Sequence, residues 1–205
     1  MGESLEKETG RVEAFSDGVF AIAITLLVLE FKVPHLHPGA SSRDLFRALL
    51  DLWPSMIAFL GSFGAILIMW INHHGLFRLI HKTDSPFLFA NGFMLLMVTF
   101  VPFPTAVLAE YLGKPGDRAA AAFYIGTFVV VSIAFNVFWA TTTKRQLLKH
   151  SVPETVVVRI RNAYRFGLGV YVASALLALW NAPLGLAGCL SLWIYWSVLQ
   201  YRAEA

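Results

Sequence analysis

The stretch RVEAFSDGVFAIAITLLVLE, from Arg11 to Glu30, joins a charged beginning to a long apolar continuation. The apolar part approaches the roughly 20 residues that a helix needs to cross a bilayer. Arg11 and Asp17 then stand at one edge of a membrane-spanning helix. Because a charge in a membrane segment is costly, such residues usually mark a functional site. The stretch therefore predicts a specialised first span, around which the rest of the chain can be placed.

The composition of the whole chain is that of a membrane protein. Of its 205 residues 57% are hydrophobic and only 14% are charged, and the mean hydropathy is +0.64. Six apolar segments meet or approach the spanning length: 15–31, 53–71, 86–109, 119–140, 166–180 and 183–199. Because Asp17 and Glu30 interrupt the first, we expect its neighbours to shield it from lipid. We predict an all-α, polytopic membrane protein with six transmembrane helices, a single unit over residues 1–205.

The distribution of cations predicts an orientation. If the six helices alternate across the membrane, 11 of the 16 Lys and Arg residues fall on the side of both termini. The positive-inside bias makes that side cytoplasmic, in the cell (inner or plasma) membrane. The net charge of +3 is then a topology signal, since the chain has no soluble module with a basic face for nucleic acid.

The first helix has two different faces. At about 100° per residue, one stripe is apolar with a single hydroxyl, and Asp17 points to nearly the opposite side. The stripe consists of Gly18, Ile22, Thr25, Leu26 and Leu29. Spacing alone leaves open whether it faces lipid, a packed core or an ion pathway. Asp17 could likewise be an ordinary N-terminal helix charge, capped with Ser16.

Four residues at the start of the first span, Arg11, Phe15, Ser16 and Asp17, form an RxxxFSD motif. With the single-copy length, the six spans and a Trp/Asn/His cluster at the end of the second span, the chain resembles the lysosomal potassium channel family, transmembrane protein 175, and its bacterial relatives. Animal members look like two such six-helix units fused, whereas this sequence holds one. The resemblance implies a homotetramer whose first helices line a central pore through the lipid bilayer.

The resemblance also assigns roles along the first helix. The pore-lining positions of the family fall on Ile22, on Thr25 or Leu26, and on Leu29. A ring of such residues would be an apolar constriction that gates by dewetting, and the chain has no TVGYG-like carbonyl filter. The implied permeant ion is potassium, with no further cofactor, and the Thr25 hydroxyl could replace part of its lost water.

Glu30 lies at the outer end of this helix, roughly 80° from the stripe. It could concentrate cations at a pore mouth. It could equally be a solvated helix-end charge paired with Lys32. The sequence leaves both interpretations open.

The second span ends in the segment MWINHHGLFRLIH, near the cytoplasmic side and level with the start of the first helix. Its polar residues are Trp70, Asn72, His73 and His74. The resemblance suggests that they form a hydrogen-bond network with Arg11, Ser16 and Asp17, which holds the first helix upright. Because histidine titrates near neutrality, His73 or His74 could also tune opening with pH.

Metal binding and enzymatic activity are poorly supported by the sequence. His73 and His74 are adjacent and diverge by about 100°, so they do not form a metal pair on one helical face. His74 and His81 do align, but no Glu or Asp joins them at a fitting spacing. No G-x-S-x-G context supports a nucleophile built from Ser16. We expect neither a metal site nor an enzyme.

A proton-coupled secondary transporter is the main alternative function. Asp17 with Arg11 and either His73 or His74 is the kind of intramembrane ionisable set that relays protons. Transporters, however, usually have broken helices around a site at the membrane midplane. Here the ionisable residues cluster at one membrane edge and the middle of the first helix is apolar, which favours a gate.

Other features of the spans concern packing. Asn91 and Asn136 are lone polar residues within spans, and we expect them to tie helices together. Pro102 and Pro104 are expected to kink or end the third span.

Overall fold

The computed structural model describes the backbone of residues 2–199 and the side chains of residues 8–199. Over this range the chain is all-helical, and its only β-type pairing is an isolated antiparallel bridge between Ile80 and Leu148. The helices are α1 (Gly2–Leu26), α2 (Ser42–Leu50), α3 (Trp53–Phe77), α4 (Ser85–Phe100), α5 (Pro102–Tyr111), α6 (Asp117–Lys144), α7 (Glu154–Trp180) and α8 (Ala182–Val198). The prediction of an all-α fold is confirmed.

Five helical segments are long and apolar enough to cross a membrane. They are Glu8–Glu30, Trp53–Phe77, Ser85–Tyr111, Asp117–Lys144 and Glu154–Trp180. The last helix, Ala182–Val198, has 17 residues and is equally apolar, at the lower limit of a spanning helix. The chain is therefore a multi-pass membrane protein. Arg202, one of the cations used to predict orientation, lies outside the described residues.

The third span is broken where the prolines predicted a break. Helix α4 ends at Phe100 and α5 begins at Pro102. Pro102 has no backbone N–H to continue the α-helical ladder, and the Val101 N–H bonds to Val98 O at 3.2 Å, a tighter pattern than α. The segment Ser85–Tyr111 therefore spans as two helices in tandem.

The end of the first span differs from the sequence prediction. An uninterrupted helix was expected over 15–31, but α1 begins at Gly2 and its α-helical part stops at Leu26. A 3₁₀ turn over Leu27–Glu30 follows, and Phe31 is already extended. Short 3₁₀ segments are common at helix ends. Pro34 disfavours a helical conformation for the residue before it, so the helix has no continuation.

The segments that join α3 to α4 and α6 to α7 are fastened to each other. His81 N donates to Leu147 O and Lys149 N donates to Leu79 O, both at 2.9 Å. Asp84 caps α4 by accepting from Phe87 N at 3.0 Å and also accepts from Arg145 Nε at 2.7 Å. The bond from Arg145 is the main reason why the pKa of Asp84 is lowered. The connection from α3 to α4 and the connection from α6 to α7 are thereby tied together at one edge of the bundle.

Helix α6 lies at the centre of the bundle and α1 at its margin. Helix α6 packs against α4, α5, α7 and α8 and supplies fully buried aromatic residues such as Trp139 and Phe138. Helix α1 packs on α3 and α4 through one face, where Ser16, Phe20 and Ala23 are buried. A marginal helix of this kind leaves its second face available to something outside the chain.

Candidate pore helix and its supporting network

The stripe predicted on the first helix lies on the outer surface of the chain. Ile22 is 59% exposed, Leu26 40% and Leu29 71%, and Gly18 and Thr25 are also exposed. Packing of the stripe into the core of its own chain, one of the three alternatives that spacing left open, is thereby excluded. Lipid and an ion pathway shared with other subunits remain.

The structure adds a constraint at two of the predicted pore positions, Leu29 and Thr25. Leu29 lies in the 3₁₀ turn, so its angle relative to Ile22 is not that of a continuous α-helix. The Thr25 hydroxyl donates to Ile22 O at 2.9 Å. Its proton is therefore occupied, while the lone pairs of its oxygen can still accept or coordinate.

A buried hydrogen-bond chain connects the other face of α1 to the bundle. Asn91 on α4 lies between Ser16 on α1 and His73 on α3, and all three side chains are buried. Asn91 Nδ2 donates to Ser16 Oγ at 3.0 Å, and Asn91 Oδ1 bonds to His73 Nε2 at 3.0 Å. One asparagine thus links three helices.

The direction of this chain assigns the histidine tautomer. Ser16 Oγ donates to Val12 O at 2.9 Å, so its oxygen must accept from the amide of Asn91. The carbonyl oxygen of Asn91 then faces His73, which must donate from Nε2. His73 Nδ1 is buried with no hydrogen-bond partner, and the ring packs against Phe20 and Phe77. His73 is therefore held as the neutral Nε2–H tautomer.

A second, more exposed pair of contacts runs along the same helix boundary. Trp70 Nε1 donates to Asp17 Oδ1 at 2.8 Å, and His74 Nδ1 bonds to Glu13 Oε1 at 2.7 Å. Both pairs are four residues apart on their own helices, so they form two rungs between antiparallel α1 and α3. Asp17 therefore has a specific partner and is more than a helix-end charge.

Two residues predicted for the network, Arg11 and Asn72, do not make the expected contacts. Arg11 is exposed and makes no hydrogen bond or ion pair with any described residue, although it lines a groove between α1 and α4 next to Phe15. Asn72 is buried on another side of α3, away from Ser16 and Asp17. A side chain adjacent to His73 on a helix must point about 100° away from it, so the two cannot share partners.

The predicted alternative pairing of Glu30 is wrong. Lys32 Nζ lies 3.5 Å from Glu110 Oε2 at the end of α5, and Glu110 also pairs with Lys114. Glu30 is half-buried at the end of the 3₁₀ turn, and its role at a pore mouth stays a prediction. Within the described residues, no three His, Cys, Asp or Glu side chains are grouped to hold a metal ion.

These features can be compared with known proteins. The family model described as the endosomal/lysosomal potassium channel TMEM175 matches residues 11–102. This range includes most of α1, all of α3 and α4, and the buried hydrogen bonds of Ser16, Asn91 and His73. A potassium channel of Chamaesiphon minutus is 49% identical over 194 residues, covering 94% of this chain and 95% of the relative. The chain belongs to the TMEM175 family. Its family is one of ion channels, not of enzymes.

A solved structure and an animal relative extend the comparison with the TMEM175 family. The crystal structure of a lysosomal potassium-selective channel TMEM175 homolog from Chamaesiphon minutus matches with a TM-score of 0.81 and 48% identity, covering 97% of this chain and 100% of that chain. The endosomal/lysosomal proton channel TMEM175 of Bos taurus is 29% identical over 184 residues, which are 87% of this chain but 38% of the bovine protein. The TMEM175 fold thus covers nearly the whole chain.

Sequence reasoning missed two members of the network in this TMEM175 chain. Asn91 was expected to tie helices together, but not to stand between Ser16 and His73. Glu13 was not singled out at all. The spacing carried a usable signal, because Glu13 and Asp17 are four residues apart on α1, as are Trp70 and His74 on α3. Matching the two spacings would have paired Glu13 with His74.

Proposed function

We propose that this chain is the subunit of a homotetrameric, potassium-permeable channel in which α1 lines a central pore. The observation that carries the proposal is the division of α1 into two faces. One face is bonded into the bundle through Ser16 and Asp17, while the apolar stripe with Ile22 lies exposed on the surface. The names of the relatives, potassium channel and potassium-selective channel, support potassium as the permeant ion.

In such a tetramer, the gate would be an apolar constriction. Rings of Ile22, of Leu26 and of Leu29 would form a narrow hydrophobic neck that excludes water and ions until it widens. A potassium ion that passes partly dehydrated loses less hydration free energy than sodium does, so the neck itself would provide the preference. The lone pairs of the Thr25 oxygen would offset part of that loss.

The hydrogen-bond network gives α1 a fixed rotation. Asn91 holds α1 against α3 and α4 from within the core, and the rungs at Asp17 and Glu13 hold it at the surface. Rotation of α1 by one residue, about 100°, would move Ile22 out of the pore. The network therefore supports the pore without contacting the ion.

Replacing Ile22 by Asn tests the constriction. A polar ring removes the dewetting barrier, so Ile22→Asn is expected to raise basal current and to reduce the preference for potassium over sodium. The measurement is the current and reversal potential of the protein reconstituted in planar bilayers under potassium and sodium gradients.

The matched control for Ile22 is Val28→Asn. Val28 is 55% exposed, close to the 59% of Ile22, but lies off the stripe. It should leave the current and reversal potential unchanged. If Val28→Asn altered permeation while Ile22→Asn did not, the stripe would not line the pore.

A wild-type reversal potential that follows the proton gradient would instead indicate a proton channel, the activity named for the bovine relative.

The proton-coupled transporter is the less favoured function. Its proposed relay needs Asp17, Arg11 and a histidine in contact, yet Asp17 bonds to Trp70 and His73 bonds to Asn91. Arg11 contacts neither partner through a hydrogen bond or ion pair within the described part of the chain. Saturable, proton-dependent uptake without unitary currents would favour the transporter over the channel.

A further inference from the structure

A small, partly open cavity lies on the side of α3 that faces α6, α7 and α8. Its volume is about 40 Å³, and these four helices supply its walls. Aromatic rings make up much of the lining, and every lining residue is uncharged. The cavity is separate from the chain of Ser16, Asn91 and His73, which lies between α1, α3 and α4.

Two of the residues that line the cavity, Asn72 and Trp193, each carry a buried polar atom that makes no hydrogen bond within the described part of the chain. These atoms, Asn72 Oδ1 and Trp193 Nε1, are both buried. The residues that carry them are 5% and 8% exposed. Buried polar groups of this kind are costly unless something satisfies them. Over the described side chains only four buried nitrogen or oxygen atoms lack a partner, and two of them belong to residues that line this one cavity.

The chemistry of the two atoms defines what can satisfy both. The Asn72 oxygen only accepts a hydrogen bond and the Trp193 N–H only donates one, so a molecule between them must both donate and accept. A cation would be repelled by the N–H, and an anion by the carbonyl oxygen. A hydroxyl group fits both requirements.

The size of the cavity then selects the molecule. One buried water needs roughly 10–15 Å³ of such volume, so the cavity has room for roughly two or three water molecules. We propose that it is a site for ordered water, which bridges Asn72 Oδ1 on α3 to Trp193 Nε1 on α8. The hydroxyl of Ser132, which also lines the cavity, offers the water a further partner.

A direct bond within the protein is the competing explanation. The Tyr171 hydroxyl lies beside both Trp193 and Trp196, although it does not reach hydrogen-bond geometry with Trp193 Nε1. A rotation of the Tyr171 ring could therefore satisfy Trp193 without water. It would leave Asn72 Oδ1 unsatisfied, which is why we favour the bridge.

The site gives Asn72 a structural role that is distinct from the α1 network. Trp70 and His74 fasten α3 to α1, whereas Asn72 faces the cavity on the opposite part of the bundle. Water between Asn72 and Trp193 would fasten α3 to α8 as well. Helix α3 is then held from both sides, which stabilises the platform on which α1 rests.

A wild-type structure at roughly 2 Å resolution or better tests the site directly. We expect ordered water density within hydrogen-bond distance of both Asn72 Oδ1 and Trp193 Nε1. Absence of such density, or a Tyr171 hydroxyl rotated onto Trp193 Nε1, would overturn the proposal. This measurement needs no variant and is independent of channel activity.

A double-mutant cycle provides the second test. Asn72→Leu and Trp193→Phe keep the approximate shapes and remove one polar atom each, and each should lower the melting temperature of the purified protein by roughly 2–6 °C. If one bridge serves both atoms, the double variant should lose clearly less than the sum of the two. Additive losses would show two independent sites and contradict a bridge. Trp193→Phe combined with Tyr171→Phe should be additive, because the proposal gives these residues no direct bond.

Discussion

At the scale of single residues, the decisive side chain is Asn91. It is the only described residue that bonds to both α1 and α3 from α4, through Ser16 and His73. The amide is suited to this position because it donates from one atom and accepts at the other while staying uncharged in an apolar interior. A carboxylate in its place could not donate to Ser16, whose proton is already directed to Val12 O.

Replacing Asn91 by Leu should therefore weaken the attachment of α1. The substitution leaves the His73 Nε2–H and the Ser16 oxygen unsatisfied, at a cost of roughly 2–4 kcal/mol. We expect a lower melting temperature together with altered current, because α1 is no longer held in one rotation. Both can be measured on the same purified and reconstituted protein.

Asn136→Leu is the matched control for Asn91. Asn136 is also an asparagine within a span, and its Nδ2 donates to Tyr164 O at 3.1 Å, which joins α6 to α7 and does not involve α1. Loss of the hydrogen bond from Asn136 to Tyr164 O should lower the melting temperature while leaving current and selectivity unchanged. Equal effects of the two variants on permeation would show that Asn91 has no particular connection to the pore helix.

At the scale of helices, the contact between α7 and α8 depends on glycine. A Cβ added at Gly185 would lie 2.5 Å from Ala178 Cβ and 2.7 Å from Ala178 Cα, closer than atoms can approach. Without a side chain at this position, the backbones pack directly against each other, as small residues allow in membrane helices. The short helix α8 is held to the bundle in this way.

We expect Gly185→Ala to separate α7 from α8 at a cost of roughly 1–3 kcal/mol, because the opposing atoms belong to the backbone and to Cβ and cannot rotate away. The measurement is thermal or denaturant unfolding of the purified protein. Gly169→Ala is the control, since a Cβ there meets no atom within 4 Å. It should be neutral or slightly stabilising; equal destabilisation by both changes would contradict the close contact at Gly185.

At the scale of the whole molecule, the chain is a helical bundle organised around α6, which packs against α4, α5, α7 and α8. Helix α1 lies at the margin of this bundle and turns Ile22 and Leu26 outward. A pore lined by α1 can therefore form only between chains, because no other described helix covers that face. This is the physical basis for expecting an oligomer.

The proposed assembly predicts four 22.8-kDa chains per complex. Native mass spectrometry of the purified protein should give that mass, and oxidation of Ile22→Cys should cross-link neighbouring subunits at the narrow neck. The single native cysteine, Cys189, is buried and should not react. Ile194→Cys on α8, where the native side chain is 68% exposed, should stay uncross-linked. Cross-linking through residue 194 but not 22 would place α8 at the axis and contradict the proposal.

The sequence by itself determined those properties that depend on neighbours along the chain. Length and hydropathy predicted the spans, Pro102 predicted the break between α4 and α5, and helical periodicity predicted that Ile22 and Leu26 share an exposed face. These three properties depend only on residues close together in the sequence. In lipid, each backbone N–H and C=O must find its partner within the same helix, so a helix forms wherever the local sequence allows it.

Only the tertiary structure decided which side chains meet. Asn91 joins Ser16 to His73, Asn72 turns to a cavity instead, and Lys32 pairs with Glu110. These contacts depend on which helices are adjacent and how each is rotated. Lipid chains are as apolar as the helix surfaces, so hydrophobicity does not specify helix neighbours, and close packing with a few polar bonds selects them.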